Sequence, residues 1–286
     1  MDSSSQQAFI KKAATLISEA DGLLITAGAG MGVDSGLPDF RGAEGFWQHY
    51  PALRASGICF EDIASPVYFP DHPALAWGFY GHRLALYRQT TPHAGFQVLR
   101  QIASHMPNNA FVFTSNVDGQ FQKAGFAPEQ IVECHGSIHY LQCIEICEQD
   151  IWPADNFEPQ VDMQQCLLLN PPPRCPHCGS LARPNIMMFN DWHWVDSRSR
   201  QQHMFLQAWL KKTRRPVIIE LGAGTAIATV RYFGERQKAP IIRINMHEAN
   251  IKKTAKNVSL AMGAQQALSQ IQSALDDMGY FDKTQS

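Results

Sequence analysis

The chain has 286 residues, of which 45% are hydrophobic and 17% are charged, and its formal net charge is −2. This composition is sufficient for a large hydrophobic core and argues against extensive disorder. The near-neutral charge gives no electrostatic support for nucleic-acid binding, and no apolar run reaches the ~20 residues that a membrane-spanning helix requires.

The predicted elements alternate between helices and strands along most of the chain. An amphipathic helix is predicted over residues 9–19, because the apolar side chains recur at helical spacing. Apolar runs then predict five strands, at residues 22–26, 110–114, 130–133, 216–221 and 240–244. A final helix is predicted over residues 258–278. This alternation indicates an α/β fold with a Rossmann-like, doubly wound parallel sheet.

Two segments interrupt this alternation. Residues 41–92 are predicted to form a mostly helical insert that carries a cofactor loop. Residues 141–183 are rich in cysteine and contain three consecutive prolines, which exclude the interior of a helix or a central strand, so a small zinc-ribbon insert is predicted there. The Rossmann-like domain would then consist of residues 1–40, 93–140 and 184–286.

The cysteines have the spacing of a metal site. Cys175 and Cys178 enclose two residues and precede a glycine, and Cys143 and Cys147 enclose three, which is within the range of known zinc sites. Cys166 lies between the two pairs, so either Cys147 or Cys166 would be the fourth ligand. Four thiolates leave zinc no open position, which predicts one structural ion.

The cysteine pattern also bears on the compartment. Four of the seven cysteines have metal-like spacing, and this favours a reducing environment. Residues 1–12 lack the pattern of a signal or transit peptide. A cytoplasmic protein is therefore predicted.

A glycine-rich run follows the first predicted strand. Gly28, Ala29 and Gly30 stand where α/β proteins bring backbone N–H groups up to a pyrophosphate. The third glycine of the usual dinucleotide fingerprint is replaced by Val33, so this run alone is a weak indication. The segment Asp39-Phe40-Arg41 then places an acid, an aromatic ring and a cation on a loop that would cover the phosphates.

Each of the next four predicted strands is followed by polar or glycine-rich residues. These are Ser115, Asn116 and Asp118 after the second strand, His135 after the third, Gly222, Gly224 and Thr225 after the fourth, and Asn245 after the fifth. Open α/β sheets bind their ligands beyond the carboxyl ends of the strands, so this edge is the predicted site.

In this order, the motifs resemble those of sirtuins, the NAD-dependent protein deacylases. The resemblance extends over about residues 9–275 and includes Arg183-Pro-Asn-Ile-Met-Met-Phe-Asn190, which is similar to the sirtuin substrate channel. It implies an enzyme that uses NAD to remove acyl groups from lysines of protein substrates, releasing nicotinamide and O-acyl-ADP-ribose. The net charge and the hydropathy pattern predict no nucleic-acid or membrane partner, and the oligomeric state stays open.

The resemblance also implies roles for individual residues. His135 would deprotonate a ribose hydroxyl, a task suited to imidazole with its pKa of roughly 6.5, and Asn116 and Asp118 would hold the nicotinamide carboxamide. The implied cofactor-binding residues are Gly28, Ala29, Gly30, Asp39, Phe40, Arg41, Ser115, Asn116, Asp118, His135, Gly222, Gly224, Thr225 and Asn245. The implied substrate-binding residues are Met188, Phe189 and Asn190, and the metal ligands are Cys143, Cys147, Cys175 and Cys178.

Tyr80 and Arg83 are candidates for acyl-chain recognition. They lie three residues apart in a predicted helix, so they share a face and together offer a hydroxyl and a forked guanidinium to a carboxylate. This Tyr-x-x-Arg pattern resembles that of desuccinylase-type (class III) sirtuins and implies a preference for succinyl, malonyl or glutaryl groups. The alternative is an ordinary amphipathic helix with a solvated Arg83.

Four positions depart from the sirtuin pattern. Gly32 and Ser115 replace a serine and a glutamine of the reacting pocket, Gln120-Phe121 replaces Leu-His, and Phe189-Asn190-Asp191 replaces Phe-Gly-Glu. The first two would slow or redirect catalysis. Two alternatives therefore stay open: a mono-ADP-ribosyltransferase or NAD glycohydrolase, and a non-catalytic module that senses NAD or ADP-ribose.

Overall fold

The computed structural model describes residues 3–39, 42–252, 254 and 256–282. Its strands are β1 (Gly22–Ala27), β2 (Ala110–Thr114), β3 (Ile131–Glu133), β4 (Gly136–Cys143), β5 (Ile151–Pro153), β6 (Val161–Asp162), β7 (Leu167–Leu168), β8 (Ala182–Ile186), β9 (Pro216–Leu221), β10 (Ile241–Ile244) and β11 (Asn257–Leu260). Its helices are α1 (Ser3–Ser18), α2 (Gly42–His49), α3 (Pro51–Ala55), α4 (Phe60–Ile63), α5 (Tyr68–Asp71), α6 (Pro73–Gln89), α7 (Ala94–Ser104), α8 (Gln120–Lys123), α9 (Ser197–Lys212), α10 (Thr229–Arg236) and α11 (Ala264–Asp276).

Six parallel strands of the described chain form the main sheet, in the order β11-β10-β9-β1-β2-β3. The chain continues from β1 to β2 and β3 on one side, and from β9 to β10 and β11 on the other. The loops that leave β1 and β9 therefore diverge, which makes this pair of strands the topological switch point of the sheet. A crevice for ligands is expected there. The predicted doubly wound α/β fold is confirmed.

The central strand β1 is buried on both faces. Leu23 and Ile25 belong to a core that contains side chains of α1, α7 and α11, whereas Leu24 packs in a second core with Leu206 of α9 and Val230 of α10. Successive side chains of a strand point to opposite faces, so helices cover both sides of the sheet.

Residues 42–89, between β1 and α7, contain helices α2 to α6, which have their own core. This core includes Trp77 and Tyr80 of α6 and residues of a second, antiparallel sheet in the order β5-β4-β8. The indole N–H of Trp77 donates to the carbonyl of Ala182 in β8 at 3.0 Å. The helical segment and the small sheet thus pack as one unit beside the main sheet.

The structure differs from the prediction at the end of the chain. Residues 258–260, predicted to begin the last helix, lie in β11, and the helix starts at Ala264. Val258 and Leu260 are buried while Asn257 and Ser259 are half-buried, which is the two-residue period of a strand. The glycine run enters the 3₁₀ turns Ala29–Met31 and Val33–Ser35.

The small sheet crosses the predicted limits of the zinc-binding segment, because β4 begins before residue 141 and β8 continues beyond residue 183. The domain limits therefore stay predictions. Among the described residues, no helix combines the length and the hydropathy needed to cross a bilayer.

Candidate active site

The glycine loops after β1 and β9 are in direct backbone contact at the switch point. The N–H of Gly28 donates to the carbonyl of Leu221 at 2.9 Å, and that of Gly30 donates to Gly222 at 3.1 Å. Gly222 has φ 58°, and a Cβ there would lie 2.3 Å from the carbonyl carbon of Gly30. Only glycine fits such a position. The two glycine loops therefore pack backbone against backbone at this edge of the sheet.

A cavity joins the predicted nucleotide motifs. Its walls include Gly30 and Asp39 from the first motif, Gly222 from the fourth and Asn245 from the fifth. Asn245 is buried and holds the rim, since its amide donates to the carbonyl of Ala223 at 2.9 Å. The cavity adjoins the carboxyl ends of β1, β9 and β10, and its lining includes neither Asn116 nor His135, so it accounts for one part of a dinucleotide site.

Glu248, which the sequence motifs did not predict, anchors the loop after β9. The backbone N–H and the hydroxyl of Thr225 donate to the carboxylate of Glu248 at 3.0 and 2.6 Å. Gly224, next to Thr225, is half-buried. Thr225 thus already has a partner within the protein, so its predicted contact with the nucleotide would require the hydroxyl to be shared or exchanged.

The second motif is attached to the first. The side-chain amide of Asn116 donates to the carbonyl of Gly28 at 3.1 Å. The backbone N–H of Ser115 donates to the carbonyl of Ala27 at 3.1 Å. Thr114 supports this turn, because its hydroxyl accepts from the N–H of Asn116 and donates to Ala27. Asn116 is therefore placed beside the glycine loop, as the prediction requires.

Asp118 is buried and difficult to ionise. Burial raises the pKa of this carboxyl to about 6, and the nearby carboxylate of Glu133 acts in the same direction. The N–H of Gln120 donates to Asp118 Oδ1 at 2.9 Å, and His139 Nε2 donates to its backbone carbonyl at 3.0 Å. The group can therefore change its charge near physiological pH.

His135 lies where β3 ends and β4 begins. Burial lowers the pKa of its imidazole, which favours the neutral form that can accept a proton. Its carbonyl accepts from the N–H of Met187 at 2.9 Å, so the strand that leads to the substrate segment is fixed to His135. Below it, the carboxylate of Glu133 is buried and pairs with Arg198 at 2.5 Å.

The predicted substrate segment is locked by an ion pair. Asp191 and Arg183 form a bidentate contact with two distances of 2.8 Å, and their side chains are 0% and 1% exposed. Asp191 also accepts from the N–H groups of Met188 and His193. Asn190 is exposed and has φ 56°, a conformation that Asn tolerates better than most residues.

Phe189 completes this segment. Its ring is half-buried and meets the edge of Phe60 at a centroid distance of 5.9 Å, and its N–H donates to the carbonyl of Ala64 at 2.9 Å. The preceding Met188 is buried. Met188 and Phe189 therefore face the helical segment, whereas Asn190 is at the surface.

Tyr80 and Arg83 lie on α6, and both are buried. Arg83 is 9% exposed, so the alternative of a solvated side chain is wrong. Its guanidinium carbon lies 5.8 Å from the ring centre of Tyr80 and 5.5 Å from that of Tyr87. Burial raises the pKa of Tyr80 to about 12, so its hydroxyl stays protonated.

Four cysteines form a candidate metal centre. The Sγ atoms of Cys143, Cys147, Cys175 and Cys178 all lie within 4.8 Å of one another. The distances are 3.6 Å from Cys143 to Cys178 and 3.5 Å from Cys147 to Cys175. Thiolates around zinc at about 2.3 Å are about 3.8 Å apart, so the cluster fits one tetrahedral ion.

The cluster settles which cysteine is the fourth ligand. Cys166 is not part of it but lies in the core of the helical segment, where a Cβ on Gly78 would be 2.0 Å from the carbonyl oxygen of Cys166.

Phe40 and Arg41, which were predicted to bind the cofactor, lie outside the described residues.

The chain is similar to known proteins over most of its length. A family model described as the Sir2 family matches residues 28–221. An NAD-dependent protein deacylase of Aquifex aeolicus is 28% identical over 236 residues, which cover 82% of this chain and 87% of that protein. One from Thermococcus kodakarensis is 26% identical, with coverages of 85% and 87%.

Two solved structures share the fold. A Sir2 homolog–NAD complex superposes with a TM-score of 0.70 at 22% identity, covering 93% of this chain and 94% of that one. A mutant Sir2 homologue bound to ADP-ribose gives a TM-score of 0.68 at 23% identity, with coverages of 97% and 98%.

Proposed function

The chain belongs to the Sir2 family, and from this premise we propose that it is an NAD-dependent protein deacylase acting on acyl-lysine side chains. The observation that carries the proposal is the convergence of both glycine loops with Asn116 at one edge of the main sheet, where β3 also delivers His135. The Aquifex and Thermococcus relatives carry the name of this activity.

Some of the site residues would bind NAD, and His135 would transfer a proton. NAD would supply the electrophilic ribose carbon and the hydroxyl that receives the acyl group. The closely packed loops of Gly28, Gly30 and Gly222 would lie against the pyrophosphate, while Asn116 and Asp118 would orient the carboxamide. His135, neutral because it is buried, would take the proton of a ribose hydroxyl as a general base.

We further propose that the enzyme prefers acyl groups that end in a carboxylate. Arg83 supports this, because a cation that is 9% exposed interacts strongly with an anionic ligand that water screens poorly. Tyr80 adds a hydroxyl that remains protonated. Succinyl, malonyl and glutaryl groups all offer the required carboxylate.

The first experiment incubates the purified protein with NAD and matched acetyl-, succinyl- and malonyl-lysine peptides and follows both products by mass spectrometry. Deacylated peptide with O-acyl-ADP-ribose is expected, and His135→Ala should abolish both while NAD binding, measured by calorimetry, persists. Consumption of NAD without deacylation would instead support ADP-ribosyl transfer or NAD hydrolysis. The replacement of the sirtuin glutamine by Ser115 is the reason to consider these reactions. Binding of NAD without any product would support a sensing module.

A second experiment tests the acyl preference. Arg83→Met should lower kcat/KM for the succinyl peptide by about a hundredfold, the scale expected for removing one partner of a buried, hydrogen-bonded charge pair. The acetyl peptide should change by less than about threefold. Arg100→Met, which removes an exposed arginine of α7, is the matched control. Equal losses on both peptides would contradict the preference.

The proposed compartment is the cytoplasm. All seven cysteines lie in described residues, and none of them forms a disulfide. Four of them form a cluster that binds metal only as reduced thiolates. A reducing compartment meets this requirement.

A further inference from the structure

Arg83 is held by one edge of its guanidinium. Nε and NH2 donate to the phenol oxygen of Tyr87 at 3.0 and 2.9 Å. The two residues are four apart on α6, so they lie on the same face one turn from each other. A single oxygen that accepts from two N–H groups fixes both the position and the plane of the guanidinium.

The other edge of the fork is formed by NH1 and the second N–H of NH2. That edge has the geometry for a bidentate contact with a carboxylate. The rings of Phe79, Tyr80 and Tyr87 surround the group at centroid distances of 5.2, 5.8 and 5.5 Å, which restricts the directions from which a ligand can approach.

The partner is neutral, and this matters for the ligand. Tyr87 is buried, and burial raises the pKa of its phenol, so the group accepts hydrogen bonds without carrying a negative charge. A carboxylate in the same place would neutralise the guanidinium. Tyr87 therefore orients Arg83 and preserves its positive charge.

Tyr87 is itself fixed through a hydrogen bond from Gln120. Its backbone carbonyl accepts from the side-chain amide of Gln120 at 3.2 Å, and the N–H of Gln120 donates to Asp118. Gln120 is fully buried. Gln120, one of the departures from the sirtuin pattern, thus supports the helix turn that carries Tyr87.

We infer that Tyr87 is a positioning residue for acyl-chain selection: it holds the side edge of the Arg83 guanidinium so that the end edge meets the distal carboxylate of a dicarboxylic acyl-lysine. The inference rests on the acyl preference proposed above. It adds a specificity determinant that acts through Arg83 without touching the substrate.

The test is Tyr87→Phe, which removes only the phenol oxygen. It should lower kcat/KM for a succinyl-lysine peptide about tenfold, mainly through KM, and change the acetyl-lysine peptide by less than about twofold. Tyr280→Phe is the matched control, because it removes a buried phenol that donates to Ile102 in the other core. Thermal unfolding of each variant by circular dichroism reports any loss of fold.

A double-mutant cycle separates this inference from the proposed preference. If Tyr87 acts through Arg83, Tyr87→Phe should have no further effect on the succinyl/acetyl ratio in the Arg83→Met background. An unchanged ratio in Tyr87→Phe, with the ratio lost in Arg83→Met, overturns the inference alone. An unchanged ratio in Arg83→Met, or a wild-type enzyme with no preference, overturns both.

Discussion

Burial raises the pKa of Asp118 to about 6, whereas a solvated aspartate titrates near 4. The folded pKa therefore lies above the unfolded one, which is the reverse of the usual case for an acid. The ionised carboxyl destabilises the fold fully above pH 6, and this penalty disappears as the pH falls from 6 towards 4. A residue kept in such a position is expected to serve the reaction, not the fold.

Asp118→Asn should accordingly stabilise the protein at pH 8 by up to about 3 kcal/mol, because each pKa unit corresponds to about 1.4 kcal/mol. The asparagine oxygen can still accept from the N–H of Gln120. Urea unfolding at pH 8, 6 and 4.5 would show the gain shrinking with pH, while deacylation falls at every pH. The exposed Asp276→Asn is the control. A less stable Asp118→Asn variant at pH 8 would mean that the carboxylate makes a favourable contact.

The sequence predicted candidate residues of the site but not their partners within the protein. Asn116 follows a strand and carries a recognisable motif, so it could be predicted, and the structure places it beside the glycine loop. The roles of Glu248 and Asp191 could not be predicted. Glu248 binds Thr225 and Asp191 binds Arg183, and only the folded chain brings these partners together. Tyr87 alone had a local signal, its four-residue spacing from Arg83.

At the scale of elements, β4 connects the segment of His135, the proposed base, with the proposed substrate segment. It begins at Gly136, directly after His135, and pairs antiparallel with β8, which leads into Met187. Gly136 has φ 77°, and a Cβ there would lie 2.1 Å from the carbonyl oxygen of Asn185. The pairing of the two strands therefore depends on this glycine.

Gly136→Ala should destabilise the protein by more than about 2 kcal/mol, because a left-handed backbone and a steric overlap add together. Gly57→Ala provides the comparison, since Gly57 has φ 67° but no atom within 4 Å of the added Cβ. That variant should lose only about 1 kcal/mol. Urea unfolding measures both. Equal losses would show that β8 moves aside without strain.

The cysteine cluster gives a second prediction for this sheet. Cys147→Ser should lower the bound zinc, measured by atomic emission, below one ion per chain, because Cys147 Sγ belongs to the cluster. Cys166→Ser should retain one ion, since Cys166 lies in the core of the helical segment. Loss of zinc from the Cys166 variant alone would reverse the assignment of the fourth ligand.

For the whole molecule, periodicity predicted the main sheet but not the small one. All five predicted strands of the main sheet agree with the structure to within one residue at each end, because buried parallel strands are continuous apolar runs. Strands β5, β6 and β7 are two or three residues long, and β8 contains Pro184 and Arg183, so no apolar run marks them. The prediction that the last helix begins at residue 258 is wrong, because residues 258–260 belong to β11. Four residues are too few to distinguish the period of a strand from that of a helix.

The two sheets suggest that metal and nucleotide stabilise different parts of the molecule. The nucleotide crevice is built on β1, β9 and β10, whereas the cysteine cluster fixes Cys143 at the end of β4. β4 reaches back to His135 and is paired with β8. Loss of the metal should therefore disturb the catalytic and substrate segments more than the nucleotide crevice.

Chelator-treated protein should keep the rise in Tm that ADP-ribose produces, a stabilisation of about 2.7 kcal/mol at a hundred times Kd. Its own Tm should be lower, and its kcat/KM for deacylation should fall, recovering when zinc is returned. Calorimetric scans with and without ADP-ribose, beside rate measurements, follow both effects. If the ADP-ribose shift vanished with the metal, the two sheets would behave as one cooperative unit, and β4 would have to transmit its order to β1 across β3 and β2.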